Sequence, residues 1–269
     1  MNKKKSLLYP CIVFAFLFAC IIFSTFAYAK SAPCNKFEKK NSGNVYYYDK
    51  AGKRVTGLVT IKGKKYYFDS KGVQQNGWQK IKGNYYFFRI KNGAQAYMVT
   101  SGKVNQISLA KSGKARYNSQ ELRKLNVMVY ANQQMRQITK RNMSMPEKLW
   151  ICFQKAVSYN YGGAGNDFAY RSAAANWDVG YAEDMFYRGR GNCFAFASAF
   201  AYLANAVGYE ASVVSSGGHG WAEIKGKVCD PDWAKVTKNI KLYYRMDYNL
   251  SGINGIPRYK NNRAYVKIV

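Results

Sequence analysis

Gly191-Asn192-Cys193-Phe194-Ala195-Phe196-Ala197-Ser198-Ala199-Phe200-Ala201-Tyr202-Leu203-Ala204-Asn205-Ala206-Val207-Gly208 is the stretch that decides how the second half of this chain folds. From Cys193 to Val207 it is apolar almost all round, so a helix of this composition is buried, and Gly208 supplies the left-handed stop. Cys193 falls in the first turn, behind the flexible Gly189-Arg190-Gly191-Asn192. Free N–H groups and the positive end of the helix favour a thiolate there, with Arg188 and Arg190 adding positive charge nearby. The same N–H groups can face a developing oxyanion.

Downstream lies His219, the chain's single histidine, in Gly217-Gly218-His219-Gly220-Trp221-Ala222-Glu223, followed by Cys229-Asp230-Pro231. A thiol nucleophile needs a base, and the base needs an acceptor to fix its tautomer, so Cys, His and Asp in this order point to covalent catalysis. Residues 221–224 and 227–230 read as two strands joined at Lys225-Gly226 or Gly226-Lys227. With either two-residue loop, His219, Trp221, Glu223, Val228 and Asp230 share a face and Cys229 points away. Glu223 stays the rival of Asp230 for the third role, and a loop of three residues would reverse every side chain. Taken singly, Cys193 reads as a small buried residue, His219 as a loop residue and Asp230 as a turn residue.

Around this core the pattern is mixed. Ser119 is placed to cap a helix carrying Leu122, Leu125, Met128 and Val129, and Ser144-Met145-Pro146-Glu147 is a capping box for a helix with Leu149, Cys152, Phe153, Ala156 and Val157 inward. Residues 160–177 read as a loop or short irregular helix. Residues 211–215 read as a strand, and 242–248 and 264–269 as later strand candidates.

The first half repeats every 20 residues: Tyr46-Tyr47-Tyr48-Asp49 returns as Tyr66-Tyr67-Phe68-Asp69 and as Tyr86-Phe87-Phe88-Arg89, with Gly43, Gly63 and Gly83 in step. Such a period signals stacked supersecondary units. Each reads as an aromatic strand, a turn such as Lys50-Ala51-Gly52, and a short strand ending near Lys-Gly. Single β-hairpins are too small to stand alone and gain stability by stacking. Ser101-Gly102-Lys103 and Ser112-Gly113-Lys114 read as degenerate turns of a linker or capping hairpin.

Residues 1–29 have the form of a secretory leader: Lys3 to Lys5, an apolar run from Leu7 to Phe26, and Ala27-Tyr28-Ala29 before a polar chain. An uncleaved membrane anchor and a lipoprotein site at Cys20 are the other readings. Cleavage lowers the formal charge from +28 to +25, since the leader holds three lysines and no acid. An exported chain this basic is expected to meet an anionic wall polymer or glycan before nucleic acid. Cys34, Cys152, Cys193 and Cys229 remain, and with Cys193 as nucleophile at most one disulfide can form within the chain. No cysteine pair has metal-ligand spacing, so neither metal nor cofactor is expected.

Two resemblances sharpen these readings. Residues 43–100 resemble the cell-wall or glucan-binding repeats of Gram-positive surface proteins, a family that includes choline-binding modules, whose aromatic cages hold quaternary ammonium by cation–π attraction. That implies wall or glycan binding by Tyr46, Tyr47, Tyr66, Tyr67, Trp78 and Tyr86. Only Trp78 keeps the Gly-Trp pair, Leu58 stands at the equivalent site and Arg89 replaces the repeat's Asp, so a glycan or wall polymer is favoured over choline.

Residues 147–233 resemble the transglutaminase-like superfamily, a papain-related fold with a Cys-His-Asp triad. The resemblance implies Cys193 as nucleophile, His219 as base and acid, and Asp230 as the residue that orients the imidazole. Gly191-Asn192 replaces a common Gly-Val pair, and Tyr161 and Trp177 are the candidates for the oxyanion hole. The expectation is an α+β chain: leader 1–29, hairpin repeats 43–115 forming a solenoid, and a transglutaminase-like domain 116–269. Its function would be that of a secreted, wall-associated cysteine enzyme acting on protein or peptide amides, by hydrolysis or by transfer to an amine, with a non-catalytic adhesion scaffold as the alternative.

Overall fold

The computed structural model describes residues 33–91, 95–162, 177–216, 218–259 and 264–268. Residues 1–29, the stretch expected to be a leader, lie outside them, as does most of the stretch 160–177. Among the described residues no helix is long and apolar enough to cross a membrane.

The repeats form short antiparallel ladders. β1 (Lys36–Lys39) pairs with β2 (Val45–Tyr48), and β3 (Gly57–Ile61) with β4 (Lys64–Phe68). β5 (Gly77–Ile81), β6 (Asn84–Lys91) and β7 (Gln95–Met98) make a three-stranded sheet. The short strands β8 (Lys103–Val104), β9 (Ile107–Leu109) and β10 (Ala115–Arg116) follow as a meander through the degenerate turns.

The pairing corrects the repeat unit read from the sequence. The tight hairpin turns are Lys62-Gly63 and Lys82-Gly83, whose φ values are 47° and 76°, and 47° and 77°. Two consecutive left-handed residues give the turn whose twist matches antiparallel strands. Each aromatic strand therefore pairs with the short strand before it. Lys50-Ala51-Gly52 and Ser70-Lys71-Gly72 instead link one hairpin to the next. Their shape comes from the repeated aspartate: Asp69 Oδ1 accepts from the N–H of Lys71 and of Val73, both at 2.9 Å, and Asp49 does the same for Ala51 and Lys53. That is an Asx turn, which explains why the repeat carries Asp there.

Five α-helices follow among the described residues. α1 (Ser119–Ile138) is capped by Asn118 rather than Ser119, in a reciprocal capping box with Glu121. Asn118 reaches the third helical N–H and its acid partner; Ser119 is one residue too late to do so. α2 (Met145–Ser158) has the Ser144–Glu147 box and the first-turn proline as expected. α3 (Trp177–Glu183) leads into a π-turn at Asp184–Arg188. α4 (Cys193–Val207) is the buried helix, and every residue from Cys193 to Ala204 is buried. α5 (Pro231–Val236) is a short helix.

Two strands of two residues, β11 (Asn160–Tyr161) and β12 (Arg190–Gly191), run parallel. The main sheet, in the order β15-β14-β13-β16, comprises β13 (Ala211–Ser215), β14 (Gly220–Ile224), β15 (Lys227–Cys229) and β16 (Ala264–Ile268), all antiparallel. Residues 242–248, a strand candidate by sequence, form turns with one isolated bridge from Met246 to Val228. Arg245 has φ 55°, a left-handed conformation that interrupts an extended chain.

The α4 helix packs on the sheet and on α1, α2 and α3, filling the molecule with Ala and Phe side chains. Trp78 and Tyr85 from the repeats lie in that same core. Asn132 on α1 donates to the carbonyls of Asn76 and Trp78, at 2.8 and 3.1 Å, tying the helix to the third hairpin.

Candidate active site

Cys193 begins α4 and is 8% exposed. Asn192 caps the helix, its Oδ1 accepting from the Ala195 N–H at 3.2 Å. The chain enters this cap along β12, and a Cβ on Gly191 would lie 2.4 Å from that of Ala195, so glycine permits the close approach.

His219 is brought up by the sheet. The β14–β15 turn is Lys225-Gly226, with Ile224 opposite Lys227 and Ala222 opposite Cys229. Gly220 then rests on the Phe194 ring, where a Cβ would come within 2.5 Å of Cδ1. The residue before it, His219, thereby faces the start of α4 and brings its ring beside the Cys193 thiol. Sγ of Cys193, a ring nitrogen of His219 and a carboxylate oxygen of Asp232 all lie within 4.8 Å of one another.

Asp230 closes the constellation. It is fully buried, and its Oδ2 accepts from His219 Nε2 at 2.6 Å and from the Tyr259 hydroxyl at 2.7 Å. Its Oδ1 caps α5, accepting from the Trp233 N–H at 3.0 Å. With Nε2 committed to Asp230, Nδ1 is the nitrogen left for the sulfur. The rings of Trp221, Trp233 and Tyr259 stand 6.1 to 6.5 Å from the imidazole and shield it.

Burial disfavours the charged imidazole, yet the neighbouring Asp230 carboxylate and Cys193 thiol outweigh it and raise the His219 pKa from the usual 6.5 to about 10. Burial pushes the Cys152 and Cys229 thiols up to about 12, which keeps both protonated and inert at neutral pH. Cys152, Cys193 and Cys229 are buried thiols, whereas Cys34 is exposed.

The other sequence candidates are dispersed. Glu223 accepts from the Tyr248 hydroxyl at 2.6 Å, and that hydroxyl accepts from the Trp221 indole at 2.9 Å, so Glu223 belongs to a separate chain of bonds. Arg188 pairs with Asp184 at 3.2 Å. Tyr161 is 61% exposed and its ring stacks on Phe196; Trp177 meets Tyr181 and Phe194 edge-on.

In the repeats, Trp78 is buried, donating to Asn105 Oδ1 at 2.8 Å with its edge against Phe87. Tyr66 and Tyr86 are buried in hairpin cores, while Tyr46, Tyr47 and Tyr67 are half-buried. The guanidinium of Arg54 lies 4.3 Å over the Tyr46 ring, and the ammonium of Lys64 lies 4.6 Å over Tyr97, so the chain's own cations cover these faces.

Two site residues escaped the sequence. Tyr259 sits in a polar tail with no local pattern to single it out. Asp232, inside the Asp-Pro-Asp run, has a buried Oδ1 without a partner, and burial beside Asp230 raises its pKa to about 6. Cys193, His219 and Asp232 also form the one group of three metal-donor side chains found among the described residues.

The arrangement defines a cysteine–histidine–carboxylate site at the junction of a buried helix and an antiparallel sheet. Comparison with known families agrees: residues 134–239 match the transglutaminase-like superfamily and residues 55–98 match the choline-binding repeat, each covering less than half of the chain. The chain thus joins a transglutaminase-like domain to an N-terminal choline-binding-type hairpin module in a mixed α+β fold.

Solved structures similar to the repeats include a choline-binding domain from Streptococcus pneumoniae. It is 21% identical over 30% of this chain and 93% of that one, at a TM-score of 0.26. Choline-binding protein F of the same organism is 29% identical over 31% and 29% of the two chains, at 0.27. A cell wall endolysin of phage Cp-1 complexed with choline is 24% identical over 32% and 25%, at 0.24. The chain spans under a third of the length of the last two. No curated protein sequence matches it.

Proposed function

We propose that this protein is an exported, wall-associated cysteine enzyme that breaks or exchanges amide bonds through an acyl-enzyme. The observation that supports it most is His219, with Nε2 held by Asp230 Oδ2 at 2.6 Å and a ring nitrogen within 4.8 Å of the Cys193 sulfur. His219 stands beside the Cys193 sulfur and takes its proton as the nucleophile is used. The sulfur attacks a carbonyl carbon, and the oxyanion that forms is held by N–H groups at the start of α4, which costs no reorganisation. His219 then gives its proton to the departing amine, the C–N bond breaks and a thioester remains on Cys193. Water or a second amine, deprotonated by the now neutral imidazole, attacks the thioester and releases the thiolate.

Water is the acceptor favoured here, because transfer to an amine requires a site lined to exclude water and no motif of the sequence marks such a lining. The repeats carry the enzyme to its polymer. Similarity to choline-binding modules supports a wall polymer as partner, and the formal charge of +28 supports an anionic one over a quaternary ammonium. The leader pattern supports export.

The test is incubation of the protein with a peptide library, with and without an amine donor, alongside Cys193→Ala. New peptide termini from the native protein alone identify a hydrolase, and amine incorporation identifies a transferase. No product in either condition leaves only a binding scaffold.

A further inference from the structure

Away from Cys193, the repeat strands and the helices enclose a cavity of about 930 Å³. Its walls carry six basic residues, Lys39, Arg89, Lys103, Arg136, Arg141 and Lys148, against one acid, Glu210. A cluster of one sign in a partly dry cleft focuses a strong field on whatever enters it. Burial lowers the Arg136 guanidinium to about 9, and Arg141 beside it pushes the same way. Arg141 is itself lowered by burial, and Lys148 by burial, by Arg141 and by Lys39. The cations therefore repel one another, and Asp69 is the acid that offsets part of this at Arg136 and Arg141.

The same walls hold three buried polar atoms with no hydrogen-bond partner: Arg136 Nε, Gln74 Nε2 and Asn132 Oδ1. Each such atom has given up water without a replacement unless something bonds it. Two donate and one accepts, so a bare anion cannot satisfy them all, whereas hydroxyl groups both donate and accept. Asn76, Asn105 and Gln106 add further carboxamides, and the half-buried Phe87 offers an apolar ring.

We infer that this cavity is a second ligand site and that it takes an anionic saccharide, a sugar unit bearing a phosphate or a carboxylate. The cations would hold the charged group and the amides the hydroxyls. It is independent of the catalytic proposal, because no residue of the cavity belongs to the Cys193 site.

Titration calorimetry of the intact protein with glucose 6-phosphate, glucuronate, glucose and inorganic phosphate tests it. At least one charged sugar should bind tenfold or more tightly than both glucose and phosphate. Arg141→Gln and the exposed Lys103→Gln should each weaken that binding several-fold, with melting temperature and Cys193 alkylation unchanged in the Lys103 variant. Cys193→Ala should bind like the native protein. Charged sugars binding no better than glucose, phosphate binding as well as they do, or a remote Lys71→Gln weakening binding as much as Lys103→Gln would each overturn the inference.

Discussion

Asp230 is where the site's electrostatics concentrate, because one buried carboxylate accepts from an imidazole, a phenol and a backbone amide at once. Asp230→Asn keeps the shape but presents the wrong partner to Nε2, so acyl transfer should fall by about 10²–10⁴. Tyr259→Phe removes one donor and should cost about tenfold through the positioning of Asp230. Peptide hydrolysis rates measure both, and a Tyr259→Phe loss matching that of Asp230→Asn would contradict this ranking. Asp232 behaves differently. Its folded pKa of about 6 lies above the usual 3.8, so its contribution is full below about pH 4 and is lost as pH rises through 6. Asp232→Asn should therefore stabilise the protein at pH 8, by roughly 1–3 kcal/mol, and leave it unchanged at pH 4. For His219, also raised, the contribution is full below pH 6.5 and fades as pH climbs through about 10. Urea unfolding of native protein and His219→Gln should then converge on the alkaline side.

What places these residues is the seam between α4 and β14. Gly220 rests on Phe194, so Gly220→Ala must push the strand from the helix, at about 1–3 kcal/mol in stability and with a larger loss of rate. Asn192→Ala removes the cap at Cys193 and should cost about 1 kcal/mol. Thermal melts and rates measured together separate the two effects. This seam was legible in the sequence: apolar composition and Gly208 fixed α4, and the Lys225-Gly226 turn set the parity that puts His219 and Asp230 on one face. Less was legible where two local signals competed. Asn118 and Ser119 are both good caps, and only the reach to Glu121 chooses between them. In the repeats, glycines occur at both turns, and the sequence period alone does not say which turn closes a hairpin. Tyr259 and Asp232 gain their meaning from tertiary contacts, which no local pattern encodes.

Trp78 shows how the two parts of the protein depend on each other. The one repeat tryptophan with a Gly-Trp pair lies in the core shared with α1 and α4, its indole bonded to Asn105, which also donates to Asn205 at 3.2 Å. Trp78→Ala should cost about 3–5 kcal/mol, felt by the repeats and by α1 and α4 alike. Calorimetry should accordingly show one cooperative unfolding transition; two well-separated transitions would mean that the junction carries little energy.

The proposed chemistry rests on the thiol–imidazole pair, and alkylation of individual cysteines by iodoacetamide at pH 7, followed by mass spectrometry, reads it directly. Cys193 should react faster than the exposed Cys34, with Cys152 and Cys229 unlabelled, and His219→Ala should slow Cys193 at least tenfold while leaving Cys34 unchanged. Equal Cys193 rates with and without the imidazole would contradict a catalytic pair and leave a basic scaffold that binds polymers.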